Sequence, residues 1–279
     1  MTTRPVLGAS TFYFYRQPAL QAVEKVLRLG FHTIELMTDP PEDDPRPMTA
    51  QEIAAIRNLV ASEGVALSLH TPVHGASPAH GDPAVRQATL DAYLGTLRLA
   101  PALGADAVVV HSGRRAPVTL SREKAAAYSH ETLLRCAEEA ASVGVLMVIE
   151  NTGFQRLAHI LRSPADHAAL VDSMRSPYAA ACLDVGHSVV HGWKPEEHVL
   201  ALDHRLKHVH LQDTRGASDD HLAIGDGTLD LAPTLTSLAR IGFTGRLIIE
   251  IHPRPEARGD LITSRAKVLA LARETGLDL

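Results

Sequence analysis

Eight short runs of β-branched and aliphatic residues, separated by longer amphipathic stretches, restrict the fold more than any other feature of this chain. The runs are Val6–Ser10, Thr33–Met37, Ala66–His70, Ala107–His111, Leu146–Glu150, Ala180–Asp184, Leu206–Leu211 and Leu247–Ile251. Several are almost continuously apolar, as in Ala107-Val108-Val109-Val110 and Leu146-Met147-Val148-Ile149. A strand that is apolar on both faces needs cover on both, which parallel strands flanked by helices receive. The stretches between them include Thr49–Glu63, Asp82–Leu103, Ser121–Val143 and Arg258–Thr275. Thr49 with Glu52 makes a good helix-start signal, and Ser121 with Lys124 a poorer one. Gly30, Gly64, Gly104, Gly144 and Gly242 each stand between a helical stretch and the next strand, where a left-handed residue closes the helix.

Eight strands alternating with helices, with no obvious linker, predict α/β architecture: a single (β/α)8 TIM barrel, one domain over residues 1–279. A doubly wound open sheet would more naturally carry a glycine-rich phosphate turn after its first strand, and Gly8-Ala9-Ser10-Thr11 is not one. Cys136 and Cys182 are too few for a disulfide framework or a cysteine-rich zinc module. A net charge of −5 speaks against a general polyanion-binding surface. The N-terminus carries no signal-peptide pattern, and no apolar run approaches the roughly 18 residues of a membrane span. A soluble cytoplasmic protein without a membrane partner is expected; the oligomeric state leaves no mark in the sequence.

The informative count is sixteen histidines. Polar residues gather at the carboxyl end of each strand after the first: Glu35, His70, His111, Glu150, Asp184, His210 and Glu250. In a (β/α)8 barrel those ends converge on one mouth, where active sites are built. A lone histidine at a strand end is more often a core or rim residue, but seven polar residues in register with the strands point to a metal site. Buried together without counter-charge they would be very costly, and a divalent cation removes that cost. Carboxylate and imidazole donors without thiolate suit Zn²⁺ or Mn²⁺. Two local motifs sharpen this: Cys182-Leu183-Asp184-Val185-Gly186-His187, and the Asp219-Asp220-His221 segment followed by Ile224-Gly225-Asp226-Gly227. Asp219 and His221 can reach one ion, with Asp220 as the competitor for Asp219. His80, His130, His159, His167, His198 and His204 read as solvated, whereas His74, His191, His208 and His252 lie near the mouth in either a substrate-contacting or a structural role.

These motifs, with Leu69-His70-Thr71-Pro72, His111-Ser112-Gly113, Ile149-Glu150-Asn151-Thr152 and His210-Leu211-Gln212-Asp213, resemble the xylose isomerase-like TIM-barrel superfamily, specifically its endonuclease IV branch (AP endonuclease family 2). The resemblance implies up to three zinc ions. His70, His111 and Glu150 would hold the first. Glu150, Asp184, His210 and Glu250 would hold the second, and His187, Asp219 and His221 the third. It implies a metal-dependent phosphoester hydrolase, with Glu150 and Glu250 catalytic and Glu35, His74, Asn151 and Arg215 at the substrate. The acidic stretch Asp39–Pro45 opposes duplex DNA, which leaves a small-molecule phosphodiester of the cobamide type as the expected substrate. The alternative is a sugar isomerase or epimerase. There one Mn²⁺-type ion sits on Glu150, Asp184, His210 and Glu250, the two glutamates move a proton, and His187 and Arg215 hold hydroxyls. A barrel that only binds its ligand is a third reading, opposed by the intact ligand set.

Overall fold

The computed structural model describes residues 4–15, 17–39, 46–153, 158–254 and 259–279. Among them, eight parallel strands follow one another around a closed barrel in chain order. They are β1 (Val6–Ser10), β2 (Thr33–Met37), β3 (Ala66–His70), β4 (Ala105–His111), β5 (Leu146–Glu150), β6 (Ala179–Asp184), β7 (Leu206–Leu211) and β8 (Arg246–Ile249). The barrel shuts where β1 pairs with β8, from Val6 on Arg246 to Ala9 on Ile249. The connections carry α1 (Ala19–Arg28), α2 (Ala50–Ser62), α3 (Pro83–Leu103), α4 (Arg122–Val143), α5 (Pro164–Ser173), α6 (Val185–Val190), α7 (Pro195–Leu202), α8 (Ala232–Arg240) and α9 (Leu261–Thr275). This is the (β/α)8 barrel that the alternation predicts. Among the described residues no helix is long and apolar enough to cross a membrane.

The strand ends differ slightly from the sequence reading. β4 and β6 begin earlier, and β8 stops at Ile249, so Glu250 lies just past its strand. Its N–H still donates to the Leu211 carbonyl at 3.0 Å, which keeps it aligned with β7. Thr49 and Glu52 form a reciprocal cap, and the Ser121 hydroxyl accepts from the Lys124 N–H at 3.2 Å, so the weaker signal is a working cap too. The proposed start of the last helix at Arg258 lies outside the described residues; α9 begins behind Asp260, whose carboxylate accepts from the Thr263 N–H. Gly30, Gly64, Gly104, Gly144 and Gly242 have φ of 80°, 62°, 79°, 69° and 63°, the left-handed turn expected of them.

Side chains alternate across each strand. Ile34, Leu36, Leu67, Leu69, Val108, Val110, Met147 and Ile149 face outward and pack with Val23, Leu97 and Leu133 from the helices. Each such buried side chain contributes about 1.5–3 kcal/mol. Val109, Val148, Ala180 and Cys182 form a separate cluster inside the barrel. The residues two positions on from Val109, Val148 and Cys182 are His111, Glu150 and Asp184, so the same inward face that is apolar at mid-barrel turns polar at the mouth.

Three histidines read as solvated are buried instead. His167 on α5 donates from Nε2 to the Ile149 carbonyl at 2.8 Å, and its Nδ1 lies 3.0 Å from His198 Nε2 on α7. His198 Nδ1 in turn meets Ser188 Oγ at 2.9 Å. His159 stacks on His191, ring centroids 3.6 Å apart. Helices α5 and α7 close over the backs of β5 and β6, so these rings satisfy main-chain and hydroxyl groups that water cannot reach. His204 is exposed, and His80 and His130 are half-buried.

Candidate active site

The ends of β3 to β8 and the loops beyond them surround a cavity of about 680 Å³, within the usual range for small-molecule sites. Glu150, at the end of β5, stands at its centre. Its Oε2 lies 3.3 Å from His70 Nε2 and 3.0 Å from His111 Nε2. Its Oε1 lies 3.0 Å from His210 Nδ1 and 3.4 Å from His187 Nδ1. Glu250 Oε2 is 3.2 Å from the same His210 nitrogen. On the far side, Asp219 Oδ1 is 3.1 Å from both His187 Nε2 and His221 Nε2. Donor atoms of Glu150, Asp184, His210 and Glu250 all lie within 4.8 Å of one another, as do those of His70, His111 and Glu150 and those of Asp184, His187 and His221.

Local structure aims these groups. Asp184 caps α6, its Oδ1 accepting from the His187 N–H at 2.7 Å, and this sets His187 one helical turn above the strand. His70 Nδ1 donates to the Thr71 carbonyl at 2.7 Å, leaving Nε2 toward the cavity. His221 holds a left-handed φ of 46°, strain that persists because its N–H donates to Gln212 Oε1 and its ring to the Glu250 carbonyl.

The electrostatics follow from burial against pairing. Burial alone would push Glu150 up, but His210 and His111 pull it well below the ordinary carboxylate range. Burial likewise opposes protonation of His70, yet Glu150 raises it to about 9; for His221, Asp219 raises it to about 10. Asp184 is the exception, pushed up chiefly by burial. In the metal-free chain, protonated imidazoles thus balance the carboxylates.

The anticipated site residues divide into three groups. His70, His111, Glu150, Asp184, His187, His210, Asp219, His221 and Glu250 come together at the mouth. Asp220 does not compete with Asp219: its carboxylate accepts from the Thr214 and Ser218 hydroxyls and the Arg215 N–H, holding the loop. Of the anticipated substrate contacts, His74 lies on the rim, 76% exposed and 3.0 Å from Asp39. Glu35, Asn151 and Arg215 do not line the cavity. Asn151 is consumed in holding β5 to β6, accepting from the Asp184 N–H and donating to the Asp184 carbonyl. The Arg215 side chain is exposed. Of the histidines placed near the mouth, His252 lines the cavity against Phe12, whereas His191 and His208 are buried away from it. Of the acidic stretch Asp39–Pro45, all but Asp39 lies outside the described residues.

Gln212, which the sequence marks only as part of the His210-Leu211-Gln212-Asp213 motif, also belongs to the site. Its Nε2 donates to both oxygens of Asp184, at 3.0 and 2.9 Å. Period-two alternation from His210 is the signal that places it on the same face. Gly153 is a second such residue: a Cβ there would lie 2.4 Å from the His187 ring and 2.8 Å from the Asp219 carboxyl carbon. Gly153→Ala is therefore expected to displace both groups and lower turnover by about 10²-fold with an unchanged circular dichroism spectrum. Wild-type turnover would show that the loop yields freely.

An uncharacterized protein of Mycobacterium leprae is 29% identical over 276 residues, covering 89% of this chain and 90% of its own length. Fructoselysine 3-epimerase of Escherichia coli O157:H7 is 23% identical over 272 residues, covering 93% of this chain and 97% of its own. A crystal structure of a D-tagatose 3-epimerase-like protein superposes with a TM-score of 0.84 at 23% identity, over 99% of this chain and 98% of that one. One of these relatives is named as an epimerase and the superposed structure as epimerase-like, and this overturns the expectation of phosphoester hydrolysis in favour of its alternative. The ligand-rich mouth does not distinguish the two chemistries, because both use carboxylates and imidazoles around a cation. A family model described as xylose isomerase-like TIM barrel matches residues 23–270, and the chain belongs to that family.

Proposed function

We propose that this protein is a divalent-metal-dependent epimerase or isomerase of a ketose-type sugar. The observation that carries the reading is the approach of two cavity-lining glutamates, from β5 and β8, to Asp184 and His210 behind them. Three buried carboxylates and one imidazole form a hard donor set suited to Mn²⁺ or Mg²⁺. Burial pushes the neighbouring Cys182 thiol well above its ordinary range in the metal-free chain. A bound cation would supply Lewis-acid polarisation of the sugar carbonyl.

The protein's own groups do the rest. Inverting a carbon next to a carbonyl requires a proton to leave one face and another to arrive on the opposite face. Glu150 and Glu250, with β6 and β7 between their strands, are the two proton holders. In the metal-free chain both sit below the ordinary carboxylate range despite burial, chiefly because of His210, so each is ionised at neutral pH. His187, Asp219 and His221 face the cavity as partners for sugar hydroxyls, while Phe12, Met37 and Val73 supply an apolar wall.

The test is ketose epimerisation in D₂O with Mn²⁺ present. Deuterium is expected at the carbon next to the carbonyl, with about one metal ion per chain and activity lost on EDTA treatment and restored by Mn²⁺. Activity that survives complete metal removal defeats the reading.

A further inference from the structure

We infer that Glu35 is the positioning residue that fixes which nitrogen of His210 faces the metal; the inference rests on the reading of His210 as a ligand. Glu35 lies at mid-strand in β2 and is completely buried, as are Ser68 on β3 and His210 on β7. Its Oε1 is 3.0 Å from His210 Nε2, and its Oε2 is 2.8 Å from His208 Nε2. The Ser68 hydroxyl donates to Oε2 at 3.3 Å. Both ring N–H bonds stand off the line to the oxygens, so charge and dipole carry the attraction as much as alignment does.

The His210 ring is thus spanned. One nitrogen rests on Glu35, and the other, Nδ1, reaches Glu150 and Glu250 at 3.0 and 3.2 Å. In the metal-free ring both nitrogens face carboxylates, Nδ1 hydrogen-bonded to Glu150 Oε1 and Nε2 beside Glu35 Oε1, each at 3.0 Å. A cation held with Glu150, Asp184 and Glu250 would take the place of the Nδ1 proton, and Glu35 then favours keeping the remaining proton on Nε2. Glu35 does not line the cavity, so it acts through His210 and not on the substrate.

Barrel filling alone does not explain a carboxylate here. The interior beside it, on β4 to β6, is filled by Val109, Val148 and Cys182. An apolar side chain would fill the space without the desolvation that a buried charge suffers. A glutamate with one imidazole on each oxygen has the geometry of a carboxylate–histidine pair behind a metal.

The test is binding of Mn²⁺ alone, followed by the electron paramagnetic resonance signal of the free ion, with Glu35→Gln beside wild type. The amide can accept from one ring only, while its NH₂ confronts the other ring's N–H. The Kd for Mn²⁺ is expected to rise about 10–100-fold. A second measurement needs no variant: long-range ¹H–¹⁵N spectra of Zn²⁺-loaded wild type are expected to show His210 protonated at Nε2 and metal-bound at Nδ1. That result decides the matter if Glu35→Gln fails to fold. A Kd equal to wild type in the folded variant, or a His210 bound through Nε2, overturns the inference while leaving the metal reading intact. Wild-type protein that takes up no Mn²⁺ overturns the metal reading, and the inference falls with it.

Discussion

Glu250→Gln is expected to lower kcat for ketose epimerisation by about 10²–10⁴-fold, the range in which a positioned acid or base contributes. Glutamine keeps the shape of the side chain just past β8 but has no oxygen that can take a proton at neutral pH. In the metal-free wild type, His210 at 3.2 Å and His221 at 3.7 Å stand against the carboxylate, and they overcome the burial that would otherwise hold a proton on it. Because Glu250 also belongs to the donor set, the rate has to be read at saturating Mn²⁺. Deuterium wash-in then separates the two roles. If Glu250 serves one face of the sugar, the variant still exchanges the hydrogen of one epimer with D₂O but no longer inverts the carbon. A saturated rate within about tenfold of wild type would remove Glu250 from proton transfer.

Metal-free protein is expected to lose on the order of 5 kcal/mol of stability between pH 6.5 and 4.5, from His159 and His167 alone. Burial, together with the neighbouring His191, lowers His159 to about 3, and burial lowers His167 to about 4. In the unfolded chain both titrate near 6.5. The unfolded state therefore binds more protons than the folded one in this window, and each ring loses about 1.4 kcal/mol per pH unit as acid is added. His198, pushed well below its ordinary range by burial, adds to the loss.

The mouth histidines behave oppositely. His70 and His221 are raised, so their stabilising contribution is already complete below 6.5 and fades only as pH rises toward about 9 and 10. Glu150 and Asp219, both held low, give up theirs only below the ordinary carboxylate range. Asp184, raised by burial, opposes the trend in part. Urea unfolding in EDTA at the two pH values measures the difference, which is a large share of the roughly 5–15 kcal/mol that holds a typical protein folded. An unchanged midpoint would mean that the relay behind β5 and β6 accommodates protons.

Much of the barrel was legible because its signals are local. Short β-branched and aliphatic runs, helix caps and glycines after helices depend on the chain within a few residues, and they placed β1, β2, β3, β5 and β7 with the bounds observed. The mouth was legible for a related reason: His70, His111, Glu150, Asp184 and His210 lie at strand ends, and barrel closure brings strand ends together. Other features depend on partners far away in sequence. Glu35 stands out as polar in β2, but its partners His208 and His210 lie more than 170 positions on, so an orienting role could not be told from substrate contact. Arg215 and Asn151, expected at the substrate, do not line the cavity, for the same reason. The first points out from its loop, and the second is taken up by the Asp184 backbone.

The chemistry was the least legible. The residues that hold cations for phosphoester cleavage and for sugar epimerisation are of the same kinds, and a donor list alone does not choose between them. The sequence by itself determined an eight-stranded α/β barrel and the strand ends that would carry ionisable groups, because backbone geometry and burial periodicity act over short distances. Tertiary structure alone decided which imidazoles look into the cavity, which are sealed behind the helices, and which carboxylate lies beneath His210. Hydrogen-bond and charge partners are assigned by closure of the barrel, and closure joins residues that the chain keeps far apart.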